Sequence, residues 1–356
     1  MNNSRPIFTD PEKQKEFDAR GWTKIRLFDE TDVQKLRELY FSLDKMEKNK
    51  GGFYVGLDNA NKQQVKEVRD TIRELFLKKG GHHFDRIKIF TSSFVTKEPN
   101  PVGVVPPHQD WSFTDESQFD SATVWIALQD TDINNGTLGF INGSNHFFRS
   151  PRPSPSPQAK SLISDHLYTM FPWLEIVDLQ PGEALIFHNS TIHGSPPNTS
   201  GDLRIAAGVG ISQAEAPLWH YYQLPGTSPQ EMICLEVDEE FYIQNNNTSL
   251  SKMYDEGKSP SEYKVRSRTV RETEQFTSAE IVDMIQAVPG NRYNGVLVEK
   301  MQQIFGHRPA PSVTPAGTQN VVAEQSAAKV YTLKNIIAEI RWKFTKLSKY
   351  LLNLKS

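Results

Sequence analysis

Between Arg86 and Leu224 the sequence alternates apolar and polar residues in short runs, and clusters of Gly, Pro, Asn and Asp separate these runs. Strands that bury one face and expose the other produce such alternation, and the turn-forming clusters mark where the chain reverses. Many short strands of this kind are typical of a β-sandwich or a β-barrel. The sequence therefore predicts a mainly β core.

Helical patterns flank this core on both sides. Residues 11–46 indicate a helix, a strand and a second helix that runs to the end of this range, and the spacing at 31–34 predicts a capping box that opens the second helix. A further helix is predicted over 61–79. After about residue 260 the chain is predicted to return to helix, with one helix over 295–305. We therefore expect a mainly β protein with flanking helices.

These patterns divide the chain into five segments. We expect, in chain order, an N-terminal cap of helices and a strand packed on the core (1–85), the β core itself (86–260), a helical extension (261–306), a flexible linker (307–330) and a basic amphipathic helix (331–356). Within the core, the segment SPRPSPSP at 150–157 contains too many prolines for a strand or a helix. We predict that it forms an exposed loop near 150–160 that acts as a lid.

Charge and cysteine content exclude several classes of function. The formal net charge of −3 gives no electrostatic basis for a nucleic acid as the main partner. Cys234 is the only cysteine, so the chain forms no internal disulfide and holds no cysteine-rich zinc site. The opening residues MNNSRPIFTDPEKQ lack the apolar centre of a signal peptide, and no run of about eighteen or more apolar residues occurs. We expect a cytoplasmic protein.

Two His-x-Asp pairs are candidates for a metal site, His83 with Asp85 and His108 with Asp110. Such a pair and one distant histidine can occupy one face of an Fe(II) ion and leave three positions open for a cosubstrate and O2. The first pair follows a Gly-Gly dipeptide at a helix-to-strand junction, where we interpret it as a solvated turn. The second lies between Pro106-Pro107 and an aromatic run, and by itself it could be an exposed loop pair.

A further polar site follows a strand predicted over Glu183–His188. It contains His193 and Ser195, and a strand predicted to begin at Arg204 comes after it. The face of that strand that starts with the arginine continues with small residues only, namely Ala206, Gly208 and Gly210. Small residues leave a cavity, and a guanidinium at its base can bind a carboxylate through two hydrogen bonds. The alternative is an exposed arginine on an edge strand weakened by glycine.

The order and spacing of these residues resemble the phytanoyl-CoA dioxygenase family. The segment ATVWIALQDTDINNGTLGFINGSNH at 122–146 is similar to the family's strand, Asn-Gly turn and Pro-Gly-Ser-His region, with Asn142 where the family usually has proline. The pattern F-x-x-x-G-W-x-x-x-x-x-F at 17–28 also fits, as does the spacing of the second His-x-Asp pair, the distant histidine and the arginine. The similarity covers about residues 12–215.

The resemblance implies a double-stranded β-helix, a jelly roll of the cupin kind, around an iron site. It implies that the metal ligands are His108, Asp110 and His193. It further implies that Arg204 binds the distal carboxylate of 2-oxoglutarate, assisted by Ser195, and that Trp125 lies near the cosubstrate. Halogenating relatives replace the metal carboxylate by a small residue, so the presence of Asp110 argues against halogenation.

We therefore expect a dioxygenase that uses Fe(II), 2-oxoglutarate and O2. The expected reaction hydroxylates an aliphatic C–H of a small-molecule, acyl or amino-acid-type substrate and releases succinate and CO2. Two alternatives stay open. The same constellation can support desaturation, epimerisation or cyclisation, and the chain could instead be a non-catalytic jelly-roll protein that binds a metal or a ligand.

Three other histidines have structural interpretations. His188, at a strand end, is predicted to pack or to support the metal ligands, and His146 is predicted to lie in a surface turn. His220, in the aromatic run LWHYYQ, is predicted to lie on the surface of a strand, with a position facing the substrate as the alternative.

The C-terminal segment 331–356 is predicted to form a basic amphipathic helix. It carries six Lys or Arg residues against one acid, Glu339, within a protein of net charge −3. Eight of its apolar residues fall on one helical face, namely Leu333, Ile336, Ile337, Ile340, Phe344, Leu347, Leu351 and Leu354. Such a helix after a flexible linker indicates a peripheral membrane contact or a partner groove, with docking on its own domain or self-association as the alternative.

If this helix binds an anionic membrane surface, the full-length protein should sediment with anionic liposomes at low salt and be released as salt rises, because salt screens surface attraction. Neutral liposomes should bind less. A chain that lacks 331–356 should lose the sedimentation and keep succinate production, because every candidate site residue precedes residue 215. Equal sedimentation of the two chains would contradict the membrane interpretation, and loss of activity on truncation would favour docking on the catalytic domain or across a dimer.

Overall fold

The computed structural model describes residues 5–44, 51–271 and 274–305. The helices in these ranges are α1 (Pro11–Arg20), α2 (Glu30–Ser42), α3 (Lys62–Gly80), α4 (Leu167–Met170), α5 (Phe241–Gln244), α6 (Asn247–Asp255), α7 (Ser278–Ala287) and α8 (Gly295–Phe305). The strands are β1 (Trp22–Arg26), β2 (Phe53–Val55), β3 (Ile87–Lys97), β4 (Val105–His108), β5 (Ser121–Ala127), β6 (Gly139–Phe140), β7 (Glu175–Ile176), β8 (Glu183–His188), β9 (His193–Ser195), β10 (Arg204–Gln213), β11 (Trp219–Gln223), β12 (Glu231–Glu236) and β13 (Lys264–Val270). The predicted mainly β class with flanking helices is confirmed.

Two antiparallel sheets form the core. The larger has the strand order β1-β8-β5-β10-β3-β2, and the smaller has the order β4-β9-β6-β7. From β3 to β10 the chain crosses repeatedly between them, because β3, β5, β8 and β10 belong to the larger sheet and the strands between them belong to the smaller. This winding defines a double-stranded β-helix, or jelly roll, so the predicted fold is confirmed.

The two faces of the larger sheet have different surroundings. One face packs against α2 and α3, where Leu36, Ile72 and Phe76 are fully buried. Every second residue of β10 belongs to this packed cluster, namely Ile205, Ala207, Val209 and Ile211. The other face contributes Trp125 to a separate cluster with Phe140 of the smaller sheet. Full burial of a large apolar side chain stabilises the fold by roughly 1.5–3 kcal/mol, so the helix-covered face supplies stability and the inner face can hold polar groups.

The N-terminal segment adds strands as well as helices to the core. β1 pairs with β8 and β2 pairs with β3, so both extend the larger sheet. Gly21 follows α1 with a φ of +80°, and a Cβ there would lie 2.5 Å from Thr191 Oγ1. The Thr191 hydroxyl and the His188 amide both donate to the Gly21 carbonyl. The glycine therefore lets this turn approach the loop between β8 and β9, which leads to the candidate site.

The start of α2 differs from the prediction. Asp29 is the N-cap residue: its carboxylate accepts a hydrogen bond from the Asp32 amide, and the Asp32 carboxylate accepts one from the Asp29 amide. The predicted capping box at 31–34 is therefore wrong by two residues, because aspartate caps a helix as well as threonine does. The helix ends at Ser42, before the predicted end, and residues 45–50 lie outside the described part.

A third sheet with the order β11-β12-β13 follows the jelly roll. Its strand β13 occupies part of 261–306, where a helical extension is predicted, so that prediction is wrong for this stretch. Ion pairs between Arg268 and Glu231 and between Lys264 and Glu236 join β13 to β12, a long-range pairing that local sequence does not reveal. The later helices α7 and α8 agree with the prediction, and α8 has the predicted bounds.

Contacts within the chain group it into two compact units, Met1–Leu297 and Val298–Ser356. The described part of the second unit belongs to α8. The predicted linker at 307–330 and amphipathic helix at 331–356 lie outside the described residues, and the five-segment division stays a prediction. No helix in the described ranges has both the length and the apolarity needed to cross a membrane.

The proline-rich segment is buried at its start. Arg152 is 8% exposed and Ser154 is fully buried. The Ser154 amide donates to the Tyr221 carbonyl, and the Ser154 carbonyl accepts from the Gln223 amide, so the segment runs beside β11. The predicted exposed loop is therefore wrong for residues 152–155, because main-chain pairing with β11 holds them inside. A role as a lid stays a prediction.

A buried ion pair anchors the same segment. The Arg152 guanidinium donates to both carboxylate oxygens of Glu116, at 2.8 and 2.5 Å, and the two side chains are only 9% and 11% exposed. Its third nitrogen, Nε, donates to the carbonyl oxygen of Asp110 at 2.6 Å. The guanidinium therefore joins the proline-rich segment to the main chain of a predicted metal ligand.

Replacing Arg152 by Met is expected to leave the Glu116 carboxylate buried without its partner and to lower the free energy of unfolding by about 3–5 kcal/mol. Arg149→Met, which changes an exposed arginine of the same region, should lower it by less than about 1 kcal/mol. The double variant Arg152→Met/Glu116→Gln should be less destabilised than Arg152→Met alone, because it leaves no unpaired charge. Urea unfolding measures all three, and equal effects of the two arginine variants would contradict the role assigned to the ion pair.

Candidate metal centre

Pairing between β4 and β9 brings two distant histidines together. His108 at the end of β4 lies opposite His193 at the start of β9, and their ring centroids are 4.2 Å apart. Asp110 follows two residues after the first histidine, and its amide donates to the Asn189 carbonyl at 2.9 Å. Because Asn189 belongs to the loop that leads into β9, this bond brings the aspartate to both histidines. The three predicted ligands therefore converge.

The spacing of the three side chains suits a single metal ion. Asp110 Oδ1 lies 4.0 Å from His108 Nε2 and 3.9 Å from His193 Nε2, and the ligand atoms of all three residues lie within 4.8 Å of one another. Two atoms bonded to one ion at about 2.1 Å each can be at most about 4.2 Å apart. The group therefore needs only small movements to bind an ion, and two imidazoles with one carboxylate are the donors typical of mononuclear Fe(II).

Hydrogen bonds to main-chain carbonyls orient both rings. His108 Nδ1 lies 2.9 Å from the Pro106 carbonyl oxygen, and His193 Nδ1 lies 3.0 Å from the Thr191 carbonyl oxygen. A carbonyl only accepts, so each Nδ1 carries the proton and each Nε2 presents its lone pair. Both Nε2 atoms face Asp110 Oδ1, so the nitrogens that would bind a metal point to the same place as the carboxylate.

The protonation states at neutral pH also suit a metal. Burial, and then the charge of His108, lower the pKa of His193 to about 4. Burial alone would raise the pKa of Asp110, but the two histidines and the hydrogen bonds from Asn189 and Thr123 outweigh it and lower that pKa. His193 is therefore neutral and Asp110 is ionised, as metal coordination requires.

The two oxygens of the Asp110 carboxylate have different surroundings. Oδ1 faces the histidines, whereas Oδ2 accepts hydrogen bonds from Thr123 Oγ1 and Asn189 Nδ2, each at 3.0 Å. A third bond of 2.9 Å joins Asn189 Nδ2 to Thr123 Oγ1. Neither donor follows from the sequence patterns, because each reaches the carboxylate only through the fold.

Arg204 is fully buried at the start of β10, so the alternative of an exposed edge arginine is wrong. Its guanidinium lies 4.9 Å from the Trp125 ring and donates from Nη1 to the Val95 carbonyl at 3.2 Å. Its Nε has no hydrogen-bond partner among the described residues. Burial lowers the pKa of this guanidinium to about 9. A buried guanidinium with an unsatisfied Nε indicates a site for an anion.

A second buried cation, Lys97, lies opposite Arg204 in the pairing of β3 with β10. Its Nζ donates to Ser195 Oγ and to the Pro196 carbonyl, both at 2.5 Å. Burial, and then the charge of Arg204, hold the pKa of this lysine well below its usual range. Among the described residues neither cation has a carboxylate within 4.0 Å. Two neighbouring buried basic side chains without a counter-ion define a candidate anion site, called the anion pocket below.

Lys97 is not among the residues predicted for the site. The alternation along IKIFTSSFVTK carries the signal, because it places Lys97 on the same strand face as Val95 and Ser93, opposite the arginine's strand. The two other predicted cosubstrate residues also lie at this pocket. Ser195 contacts the lysine, and Trp125 contacts the arginine and has a buried Nε1 without a partner in the described chain.

Three histidines outside the centre agree with their interpretations. His83 lies in a 3-10 turn, and the group of His108, Asp110 and His193 is the metal-like cluster found among the described residues. His146 is exposed in a turn after β6. His188 is buried, accepts a hydrogen bond from the Ser190 amide and lies 3.4 Å from the Asp120 carboxylate.

The prediction for His220 is wrong. Its side chain is fully buried rather than on a strand surface, and its Nε2 lies 2.8 Å from Ser154 Oγ. The ring packs 4.5 Å from the Phe241 ring, so α5 covers the strand face that the sequence pattern left open. Burial lowers the pKa of this imidazole to about 3.

A jelly roll with two histidines and one carboxylate at a single centre defines a cupin-like protein with a candidate mononuclear metal site. Residues 20–206, just over half of the chain, match the model of the Phytanoyl-CoA dioxygenase (PhyH) family. The chain therefore belongs to this family.

Two of three similar curated proteins carry names from the same family, and the third is named as an alpha-ketoglutarate-dependent dioxygenase. A phytanoyl-CoA dioxygenase of Arabidopsis thaliana is 28% identical over 148 residues, which cover 38% of this chain and 48% of that protein. A phytanoyl-CoA dioxygenase domain-containing protein 1 homolog of Caenorhabditis briggsae is 27% identical over 55% of this chain and 69% of its own. A probable alpha-ketoglutarate-dependent hypophosphite dioxygenase of Stutzerimonas stutzeri is 26% identical over 58% of this chain and 79% of its own. The match thus spans about half of the first relative's length.

Solved structures are similar only in fold. The carbocyclase SnoK from nogalamycin biosynthesis, described as non-heme and alpha ketoglutarate dependent, has a TM-score of 0.43 and 20% identity over 60% of this chain and 89% of its own. HygX from Streptomyces hygroscopicus, solved with nickel and 2-oxoglutarate, has a TM-score of 0.39 and 17% identity over 58% of this chain and 88% of its own.

Proposed function

We propose that the protein is an Fe(II)- and 2-oxoglutarate-dependent dioxygenase that hydroxylates an aliphatic C–H of a small molecule. The observation that carries the proposal is the combination of the His-Asp-His centre with a buried anion pocket. Ser195 links the two sites, because it lies two residues from His193 on β9 and contacts Lys97. A dicarboxylate that binds a metal at one end and a cation at the other fits such a pair of sites.

Membership of the PhyH family and the names of two relatives support this assignment. His108, Asp110 and His193 would hold the iron. The bound metal supplies the activation of O2 that is coupled to oxidative decarboxylation of 2-oxoglutarate. The products are succinate, CO2 and a substrate that has gained one oxygen atom. Acyl or amino-acid-type molecules are substrate classes consistent with the resemblance.

The anion pocket would bind and orient the distal carboxylate of the cosubstrate. Arg204 has a free Nε for it, and Lys97 adds a second positive charge. The carboxylate would stabilise the charged forms of both side chains, which burial disfavours, so its binding is favoured electrostatically. Trp125 Nε1, which lacks a partner in the described chain, would donate a hydrogen bond to a cosubstrate oxygen.

Access for the substrate would be on the side of His108. Its side chain is 40% exposed, whereas that of His193 is 6% exposed. The aromatic side chains of Trp111 and Phe113 follow the metal carboxylate and are not fully covered by the core. They would exclude water from the reacting C–H and offer it an apolar surface.

Because three side chains would hold the ion, His108→Ala or His193→Ala should abolish tight Fe(II) binding and succinate production. His146→Ala, which changes an exposed histidine, serves as the matched control and should keep both. Anaerobic calorimetry with Fe(II) and a succinate assay measure the two quantities. Iron binding like that of the wild type in both ligand variants would overturn the assignment.

Arg204→Ala should leave iron bound and raise the apparent KM for 2-oxoglutarate steeply. Loss of a charge-assisted, two-point contact costs on the order of 2–4 kcal/mol, or roughly thirty- to a thousandfold in affinity. Lys97→Met should also raise the apparent KM for 2-oxoglutarate, because it removes the second basic group of the pocket. Arg26→Ala, an exposed arginine on β1, is the control. An unchanged KM in both pocket variants would place the carboxylate elsewhere.

A further inference from the structure

The surroundings of Asp110 determine which of its oxygens can reach a metal. Oδ1 points to the two histidine nitrogens, at 4.0 and 3.9 Å. Oδ2 accepts one hydrogen bond from Thr123 Oγ1 and one from Asn189 Nδ2. Two donors occupy the lone pairs of an sp² oxygen, so this oxygen has little capacity left for a metal bond.

The donors are held rigidly. Thr123 projects from the central strand β5, and Asn189 is fully buried in the loop before β9. The main-chain amide of Asn189 donates to the Ser121 carbonyl at 3.1 Å. The main-chain carbonyl of Asn189 accepts from the Asp110 amide at 2.9 Å. Asn189 therefore contacts both the main chain and the side chain of the aspartate, which fixes the carboxylate in rotation as well as in position.

The orientation of the Asn189 side-chain amide has a direct physical reason. The opposite orientation would place its oxygen against the ionised Asp110 carboxylate, and two acceptors repel each other. In the orientation present, Asn189 Oδ1 is buried and has no hydrogen-bond partner among the described residues. The side-chain oxygen of Asn189 therefore stays unsatisfied, while its Nδ2 donates to both Thr123 and Asp110. Such an exception to satisfied burial is typical of a functional position.

We propose that Asn189 and Thr123 are positioning residues that keep Asp110 a one-oxygen metal ligand. An octahedral ion bound by three protein atoms keeps about three positions for exchangeable ligands, whereas a two-oxygen aspartate would leave about two. A chelating cosubstrate and O2 together need all three. The inference rests on the proposed metal site, and it adds the cause that keeps three positions of that site open.

Full-length protein loaded with Mn(II) tests the inference without catalysis. Water-proton relaxation counts the exchangeable waters on the ion, which should be about three in the wild type. In Asn189→Leu/Thr123→Val, where both donors are replaced by side chains of similar size, Oδ2 is free to bind and the count should fall to about two. The variant should still bind Mn(II), because a freed oxygen adds a metal bond.

Two variants serve as matched controls. Thr123→Ser keeps the hydroxyl donor. Ser190→Ala removes a buried hydroxyl beside Asn189, whose hydrogen-bond partners among the described residues are the Asn145 carbonyl and His188 Nδ1. Both should keep the wild-type count, and melting temperatures verify that all variants fold. If the double variant does not fold, the water counts of Thr123→Val and Thr123→Ser are compared instead. The count should fall in Thr123→Val and stay at the wild-type value in Thr123→Ser.

The outcomes separate this inference from the proposed function. A wild-type water count in a folded variant without the donors would overturn the positioning role, and so would loss of Mn(II) binding by that folded variant. A wild-type protein that binds no Mn(II) or Fe(II) would overturn the metal site itself.

Discussion

The candidate centre depends on one short pairing, that of β4 with β9. Two register positions define it, and one of them sets His108 opposite His193. Pro106 and Pro107 lie between these positions and have no amide hydrogens, so the pairing has few main-chain hydrogen bonds. Contacts from outside the smaller sheet complete it. The Asp110 amide bonds to the loop before β9, and Arg152 donates to the Asp110 carbonyl from the proline-rich segment. The precision of the site thus comes from segments that are distant in sequence.

The site places charge where the surrounding fold excludes water. Lys97 and Arg204 are both fully buried, and the ionised Asp110 accepts a hydrogen bond from Thr123 of the same larger sheet. Burial of unpaired charge lowers stability, so this arrangement needs compensation elsewhere. The apolar cluster under α2 and α3 offsets it from the opposite face of the larger sheet. One face of the larger sheet therefore stabilises the fold, and the other carries residues of the candidate site.

The parts of the site that are local in sequence could be predicted. The His-x-Asp spacing and the small residues that follow Arg204 need only strand periodicity and the family resemblance. Lys97 was missed because a lysine at the end of a strand is ordinarily exposed, and only pairing with β10 turns it inward. The errors at Arg152 and His220 have a similar cause. Each is buried by a partner far along the chain: Arg152 pairs with Glu116, and His220 packs against α5. Composition and periodicity carry no information about such partners.

The anion pocket has a consequence for the lifetime of the protein. Without an anion beside them, burial disfavours the charged forms of Lys97 and Arg204, and the charge of Arg204 further disfavours that of Lys97. A ligand that binds only the folded chain stabilises it by about 2.7 kcal/mol when its concentration is a hundredfold above its Kd. Proteases in a cell act on the unfolded fraction, which such a ligand reduces. Abundant dicarboxylate would therefore slow degradation and scarce dicarboxylate would speed it. If the pocket binds 2-oxoglutarate as proposed, the amount of this protein in a cell would follow the supply of that cosubstrate.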